Sequence, residues 1–215
     1  MPVMGTVSHG ATVAAPSLAT MHEDRLRRAI DAIDSANADD PSRIVVRGEE
    51  RPKELAHAEL VTEWVGRLVR EPSEALLLAA RAHHLRRWTI PRTSYPQGRA
   101  GYLRWRKALH EQHASDVAEI LASVGYDAVT IERVQELVRK RGLGRDPEVQ
   151  ALEDALCLVF VETQLHDLAQ RVEPEKMVGI VEKTTKKMSE PAIALALTLD
   201  IDPDERALLE RARRA

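Results

Sequence analysis

Glu74-Ala-Leu-Leu-Leu-Ala-Ala-Arg-Ala-His83-His84 is a run of alanine and leucine that closes on two adjacent histidines. A helix apolar around most of its surface belongs inside a protein rather than on it. Imidazoles carried into such an interior need hydrogen-bond partners or a metal. Pro72 opens this helix, and Trp88-Thr-Ile-Pro-Arg-Thr-Ser-Tyr-Pro-Gln-Gly98, with two prolines and a glycine, must leave it as a loop.

The same periodicity extends in both directions. Leu26, Ile30 and Ile33 follow the capping box Thr20-Met-His-Glu23 and predict a first helix over about 21–36. Residues 37–51 read as a loop with a brief extended piece at Ile44-Val-Val46. Pro52 suits the first turn of a second helix, whose Leu55, Leu60, Val61, Trp64, Val65 and Leu68 make a broad apolar face. A long helix over about 99–123 is closed by Gly125, with Leu103, His110, His113, Val117 and Ile120 as its inward stripe. Further helices are expected over about 128–140, from Asp146-Pro147 to about Ala169, and after Glu173, Ser189 and Asp202.

Composition agrees with an all-α fold. The 215 residues contain one Phe and three Tyr, and no stretch alternates like a strand for more than a few positions. Residues 1–20, rich in small residues, read as a disordered tail, and 21–215 as one helical domain. A net charge of −3 gives no overall footprint for nucleic acid or an anionic membrane. No apolar stretch approaches a membrane span and no secretory leader is visible, so a cytoplasmic protein is expected. Homo-oligomerisation is left open. The lone Cys157 sits in an apolar run and reads as a small buried hydrophobe. Lys186-Lys-Met-Ser-Glu190 imitates a synthetase signature, but with no strands of a nucleotide-binding sheet around it, it reads as a helix end followed by a Ser189 cap.

Three helices thus place ionisable groups where periodicity expects hydrophobes: His83 and His84, His110 and His113, and Asp154 within Leu152-Glu-Asp-Ala-Leu. An isolated carboxylate in a packed interface costs several kcal/mol unless it meets a cation or several donors. Imidazoles with a carboxylate suit a divalent transition metal such as Fe, Mn, Co or Zn. Glu54 and His57, three residues apart on one face of the second helix, offer a further ligand or a general base. Around the histidine pair cluster Arg86, Arg87, Arg92, Arg99, Arg104 and Arg106, interleaved with Trp88, Tyr95, Tyr102 and Trp105. Guanidinium forks hold phosphate or carboxylate, so Arg86, Arg87, Arg92, Tyr95, Arg99 and Arg104 are the expected contacts of a small anionic molecule.

His57-Ala-Glu-Leu-Val61, Ala79-Ala-Arg-Ala-His83-His84-Leu-Arg86 and Leu152-Glu-Asp154 resemble the helix segments of the HD-domain superfamily of metal-dependent phosphohydrolases, except that His84 stands where that superfamily has its defining aspartate. The segments Arg28-Ala-Ile-Asp31, Pro52-Lys-Glu54, Arg81-Ala-His-His84-Leu-Arg-Arg-Trp88, Pro91-Arg-Thr-Ser-Tyr-Pro96, Arg99-Ala-Gly-Tyr-Leu-Arg-Trp-Arg106 and Leu152-Glu-Asp154 are similar to the domain of unknown function 4202 family over nearly the whole chain from about residue 23. These resemblances imply an HD-like helical bundle with His84, His113 and Asp154 as metal ligands and Glu54 or His57 completing the shell or acting as base. His83 falls to a supporting buried position. The expected activity is metal-dependent hydrolysis of a small phosphorylated or nucleotide-like substrate. An iron site that activates oxygen, or a metal-free anion- or nucleotide-binding module, are the alternatives.

Overall fold

The computed structural model describes residues 18–214. Helix α1, Leu18–Ala38, begins before the expected capping box, so the tail reading for residues 1–17 lies outside the described residues while 18–20 are already helical. The stretch that read as a loop folds into a hairpin, β1 (Arg43–Val46) against β2 (Glu49–Pro52), antiparallel with Ile44 opposite Arg51 and Val46 opposite Glu49. Arg47 and Gly48 both take positive φ, 52° and 84°, the geometry of a two-residue hairpin turn matched to strand twist. Arg47 reaches Glu63 at 2.6 Å and Arg51 pairs with Glu59, fastening the hairpin to the helix that follows.

That helix, α2 (Lys53–Leu68), starts under the control of Asp40, whose carboxylate accepts from Ser42 N at 2.8 Å and from Glu54 N at 3.0 Å. Helix α3 (Glu74–Ala82) is capped by Ser73, and α4 (Gly98–Val124) ends at Gly125 in the left-handed region. Between them, Arg87–Thr89 and Arg92–Ser94 form short 3-10 turns. Then come α5 (Ala128–Val138), α6 (Pro147–Thr163), α7 (Leu165–Ala169), α8 (Pro174–Thr185), α9 (Glu190–Ala196) and α10 (Pro203–Arg213).

The helix expected to run to Ala169 breaks at Gln164, whose φ of −130° is not helical. Thr163 Oγ1 bonds back to Val159 O at 2.7 Å in the last turn, an interaction that bends helices. Leu103, expected to face inward, is 55 % exposed, because the phase of α4 is set by Leu109, His113, Val117 and Leu121 instead.

The core sits where α2 and α3 pass between their neighbours. Helix α2 packs on α3 and α6, α3 on α5 and α1, and α4 on α5 and α1, while α8 packs on α10 and α9 on α6. Ile33, Val61, Leu76, Leu78, Val117, Leu121, Val134, Leu137, Leu152 and Leu158 are fully buried. The class is therefore all-α, with the hairpin as its only sheet among the described residues. No helix among those residues is long and apolar enough to cross a membrane. Cys157 is buried, and burial raises its thiol to about 12, as expected of a structural cysteine.

Candidate metal centre

Helix α3 does not carry the histidine pair, as its composition suggested; it stops at Ala82, and His83 is its C-terminal cap. The chain then makes tight turns, with Leu85 N donating to Ala82 O at 3.0 Å and Arg87 N to His84 O at 3.0 Å. Arg86 adopts φ 52°, a conformation that costs a non-glycine residue about 1 kcal/mol, and Asn37 Oδ1 on α1 offsets it by accepting from Arg86 N at 3.1 Å. This turn swings His84 off the helix and over α2. It also points Leu85 O toward α4, where it accepts from His113 Nδ1 at 2.7 Å. One tight turn therefore places two of the histidines.

Glu54, His57 and His84 meet there, each offering a ligand atom within 4.8 Å of the others. Glu54 and His57 share one face of α2 and are buried, whereas the His84 side chain is 32 % exposed and opens the group to solvent. His84 Nδ1 lies 3.0 Å from Glu54 Oε2, and His57 Nδ1 is 3.7 Å from the same oxygen. Arg87 Nη1 stands 3.3 Å from His84 Nε2. A guanidinium can only donate, so Nε2 accepts and Nδ1 carries the proton it gives to Glu54. Arg87 Nε is also 3.7 Å from Glu54 Oε1.

Burial works to raise the pKa of the Glu54 carboxyl, yet the neighbouring His84 and His57 outweigh it and hold the group well below the usual carboxylate range. Burial, and next the adjacent His83 ring 4.3 Å away, hold His84 well below the ordinary imidazole value. The result is an ionised carboxylate beside a neutral imidazole, the protonation states in which both bind metals. His57 Nε2 is buried and has no hydrogen-bond partner, so one ring nitrogen of the group is uncommitted. This donor set fits a divalent transition ion.

His113, expected as a ligand, lies beside this group rather than in it. Its ring is 5.9 Å from that of His84, its Nδ1–H is spent on Leu85 O, and its Nε2 is buried and unpartnered. A backbone bond on one nitrogen that fixes the tautomer and bares the other is the usual arrangement of a ligating or substrate-facing histidine. Asp154, also expected as a ligand, does not join. Its Oδ1 accepts from Ser189 N at 2.8 Å and Gln150 Nε2 at 3.0 Å, and its Oδ2 from Ser189 Oγ at 2.6 Å. The buried acid of α6 thus meets donors at the start of α9 instead of a cation.

Of the arginines expected to hold an anion, Arg87 alone touches the group, stacked 5.0 Å over Trp105. Arg92 is spent on the loop itself, donating to Tyr95 O at 2.8 Å and Pro96 O at 3.0 Å, and Tyr95 is half-buried in that same turn. Arg86 works through its backbone, while Arg99 and Arg104 are exposed on α4. Sequence reasoning counted Arg106 in the arginine cluster without naming it as a contact and gave Lys140 no role, although Tyr102, Arg106 and His110 recur every four residues and so share a face of α4.

Two buried histidines make the fold acid-sensitive. Burial lowers His83 to about 3 and His113 to about 4, their backbone bonds to Ala80 and Leu85 notwithstanding. In the unfolded chain an imidazole titrates near ~6.5. The unfolded state therefore binds more protons below that value, and stability, complete above it, falls as pH drops toward the folded values. Chelator-treated protein is expected to melt at progressively lower temperature from pH 7 to pH 4.5, and His83→Gln to flatten that slope; parallel slopes would remove His83 from the account.

The site thus defines an all-helical protein with a carboxylate–imidazole cluster at the meeting of α2 and the turn after α3. The chain belongs to the family described as a domain of unknown function, DUF4202, whose model matches residues 27–209. No curated protein and no solved structure matches it.

Proposed function

We propose that the chain is a metal-dependent hydrolase of a small phosphorylated or nucleotide-like substrate, with Glu54, His57 and His84 as the metal ligands. The observation that carries this reading is the convergence of those three side chains, with the carboxylate ionised, His84 neutral and one ring nitrogen of His57 buried without a partner. The resemblance of the flanking segments to HD-domain phosphohydrolases supports the same class of chemistry. A divalent ion supplies Lewis acidity and lowers the pKa of a water that it binds. Glu54 contributes the one negative charge of the cluster, and an ion held there would displace the proton that His84 Nδ1 gives to Glu54, leaving His84 Nε2 facing Arg87. Arg87 is placed to hold a substrate oxygen at the open side of the cluster, and its stacking on Trp105 limits where the guanidinium can go. The bare Nε2 of His113 is placed to accept a hydrogen bond from a bound molecule.

The test is metal analysis of purified protein loaded in turn with Fe, Mn, Co and Zn, alongside Glu54→Gln and His57→Ala, followed by phosphate release from a nucleotide panel. Wild type is expected to retain about one ion, and each variant to bind it at least ~10-fold more weakly, since removing a ligand costs no less than removing a group that orients one. Wild type that retains no ion under any loading condition would overturn the reading. A second reading, a metal-free anion-binding module, is favoured by the hydrogen-bonded chain Glu54–His84–Arg87, which satisfies the cluster without an ion. Melting unchanged by exhaustive chelation would select it.

A further inference from the structure

The mouth of the hairpin holds two cations that the fold leaves unpaired. Arg43 opens β1 opposite Pro52, and Lys53 follows Pro52 with its N–H donating to Ser42 O at 3.0 Å, so the two residues stand side by side across the strand ends. The other arginines of the hairpin are tied down, Arg47 to Glu63 and Arg51 to Glu59. Arg43 and Lys53 meet no carboxylate among the described residues. Lys53 is moreover the first residue of α2, the end of a helix that favours an acid over a cation. Both residues line a cleft of about 290 Å³ between the hairpin mouth and the break of α6 into α7. Phe160, the one phenylalanine of the chain, is half-buried and lines the same cleft with Ile44 and Leu168. Gln164, the residue at the break, lines it as well. Its side-chain amide makes no hydrogen bond among the described residues, whereas the neighbouring Thr163 hydroxyl is spent on Val159 O. Arg171 adds a third cation and Asp167 the one acid, 3.7 Å from Arg171, so the lining is cationic on balance in a chain of net charge −3.

We propose that this cleft binds a small organic anion, Arg43 and Lys53 holding its oxyanion head and Phe160, Ile44 and Leu168 covering an apolar body. The volume lies near the lower end of pockets that take small molecules and suits a body of single-ring size. The Arg43 fork matches two oxygens of a carboxylate or phosphoryl head, Lys53 adds a point charge, and the Gln164 amide is free to meet the same head. A bare anion gains only partly exposed charges, which water screens, and a neutral ring gains only the apolar wall; the two features together set the preference. The site is separate from the candidate metal centre. Lys53 precedes Glu54 in the chain, but Glu54, His57 and His84 are not part of the lining, and binding needs no metal.

The experiment is a nuclear magnetic resonance titration of the isotope-labelled full chain, after chelation, with benzoate, phenyl phosphate, acetate and benzyl alcohol. The two aryl anions distinguish a carboxylate head from a phosphoryl one, and the last two probes carry the head or the ring alone. At least one aryl anion is expected to shift the amides of Ile44, Lys53, Gln164 and Leu168 and to bind ~10-fold more tightly than acetate or benzyl alcohol. Arg43→Gln and Lys53→Gln are each expected to weaken that binding about 3-fold, and the double variant about 10-fold, as for partly exposed ion pairs. No shift of those amides by either aryl anion, equal binding of acetate or benzyl alcohol, or unweakened binding by the double variant would overturn the site. Aryl anions that shift only the amides of His84 and Arg87 would place binding at the metal cluster and overturn the cleft as well. Should the double variant fail to fold, wild-type affinity in the exposed Arg43→Gln alone would count as the same failure.

Discussion

Asp154→Ala is expected to lose about 3 kcal/mol of stability while retaining the metal-binding capacity of wild type. The residue is 4 % exposed, and its carboxylate is the acceptor for three donors: the main-chain N–H and the hydroxyl of Ser189 and the amide of Gln150. Alanine removes the acceptor of both Ser189 donors in a part-buried seam, where an unmet polar group costs ~1–3 kcal/mol, and leaves the Gln150 amide with Lys187 O alone. The damage spreads through Ser189, whose hydroxyl accepts from Ala192 N at 3.3 Å and so begins α9. Gln150 also donates to Lys187 O at 2.8 Å, so α6 loses part of its hold on the segment leading into α9. Urea unfolding followed by circular dichroism reads the first half of the expectation as a lower midpoint with an unchanged slope. Metal titration of the folded variant reads the second. Loss of metal with little loss of stability would make Asp154 a ligand after all.

That residue also marks how far the sequence can be read. The helical class was legible because it rests on local signals: alanine and leucine at helical spacing, Asp146-Pro147 opening α6, Ser189 opening α9, and Asp202-Pro203 opening α10. A buried acid on an apolar helix was legible as well. Its partner was not, because an ion and a set of neutral donors satisfy a carboxylate equally well, and two of the three donors that arrive lie 35 positions later in the chain. His84 shows the same limit at the candidate site. Its neighbours suggest one continuous helix, whereas α3 ends at Ala82 and the turn that follows is closed by the left-handed Arg86, held by Asn37, 49 residues away. Glu54 and His57 were easier, since both sit on one face of a single helix and need no long-range fact to be placed together. Arg87 was visible but undistinguished among six arginines. Only the three-dimensional arrangement shows that Arg92 is tied to carbonyls while Arg87 stands beside His84.

Gly101→Val is expected to destabilise the chain by several kcal/mol, on the order of a severe overpacking substitution, and to weaken phosphate binding in whatever fraction still folds. A Cβ at Gly101 would lie 1.8 Å from Pro96 O and 2.7 Å from its carbonyl carbon, contacts that no side-chain rotation relieves because the obstacle is backbone. Pro96 cannot simply retreat, since its carbonyl accepts from Arg92 Nη2 at 3.0 Å and Arg92 also holds Tyr95 O. Relief therefore requires the whole turn from Pro91 to Gly98 to move away from the first turn of α4. That turn is anchored further back, where Ile90 O accepts from Trp105 Nε1 at 2.8 Å, and Trp105 is the surface against which Arg87 stacks. A displacement at Gly101 thus reaches the guanidinium beside His84 through one loop and one indole. Gly101→Ala, which adds the clashing carbon without branching, should show the same two effects with a smaller shift in melting temperature. Wild-type stability in Gly101→Ala would mean that the loop yields at little cost, and wild-type phosphate affinity in a destabilised Gly101→Ala would uncouple the loop from Arg87.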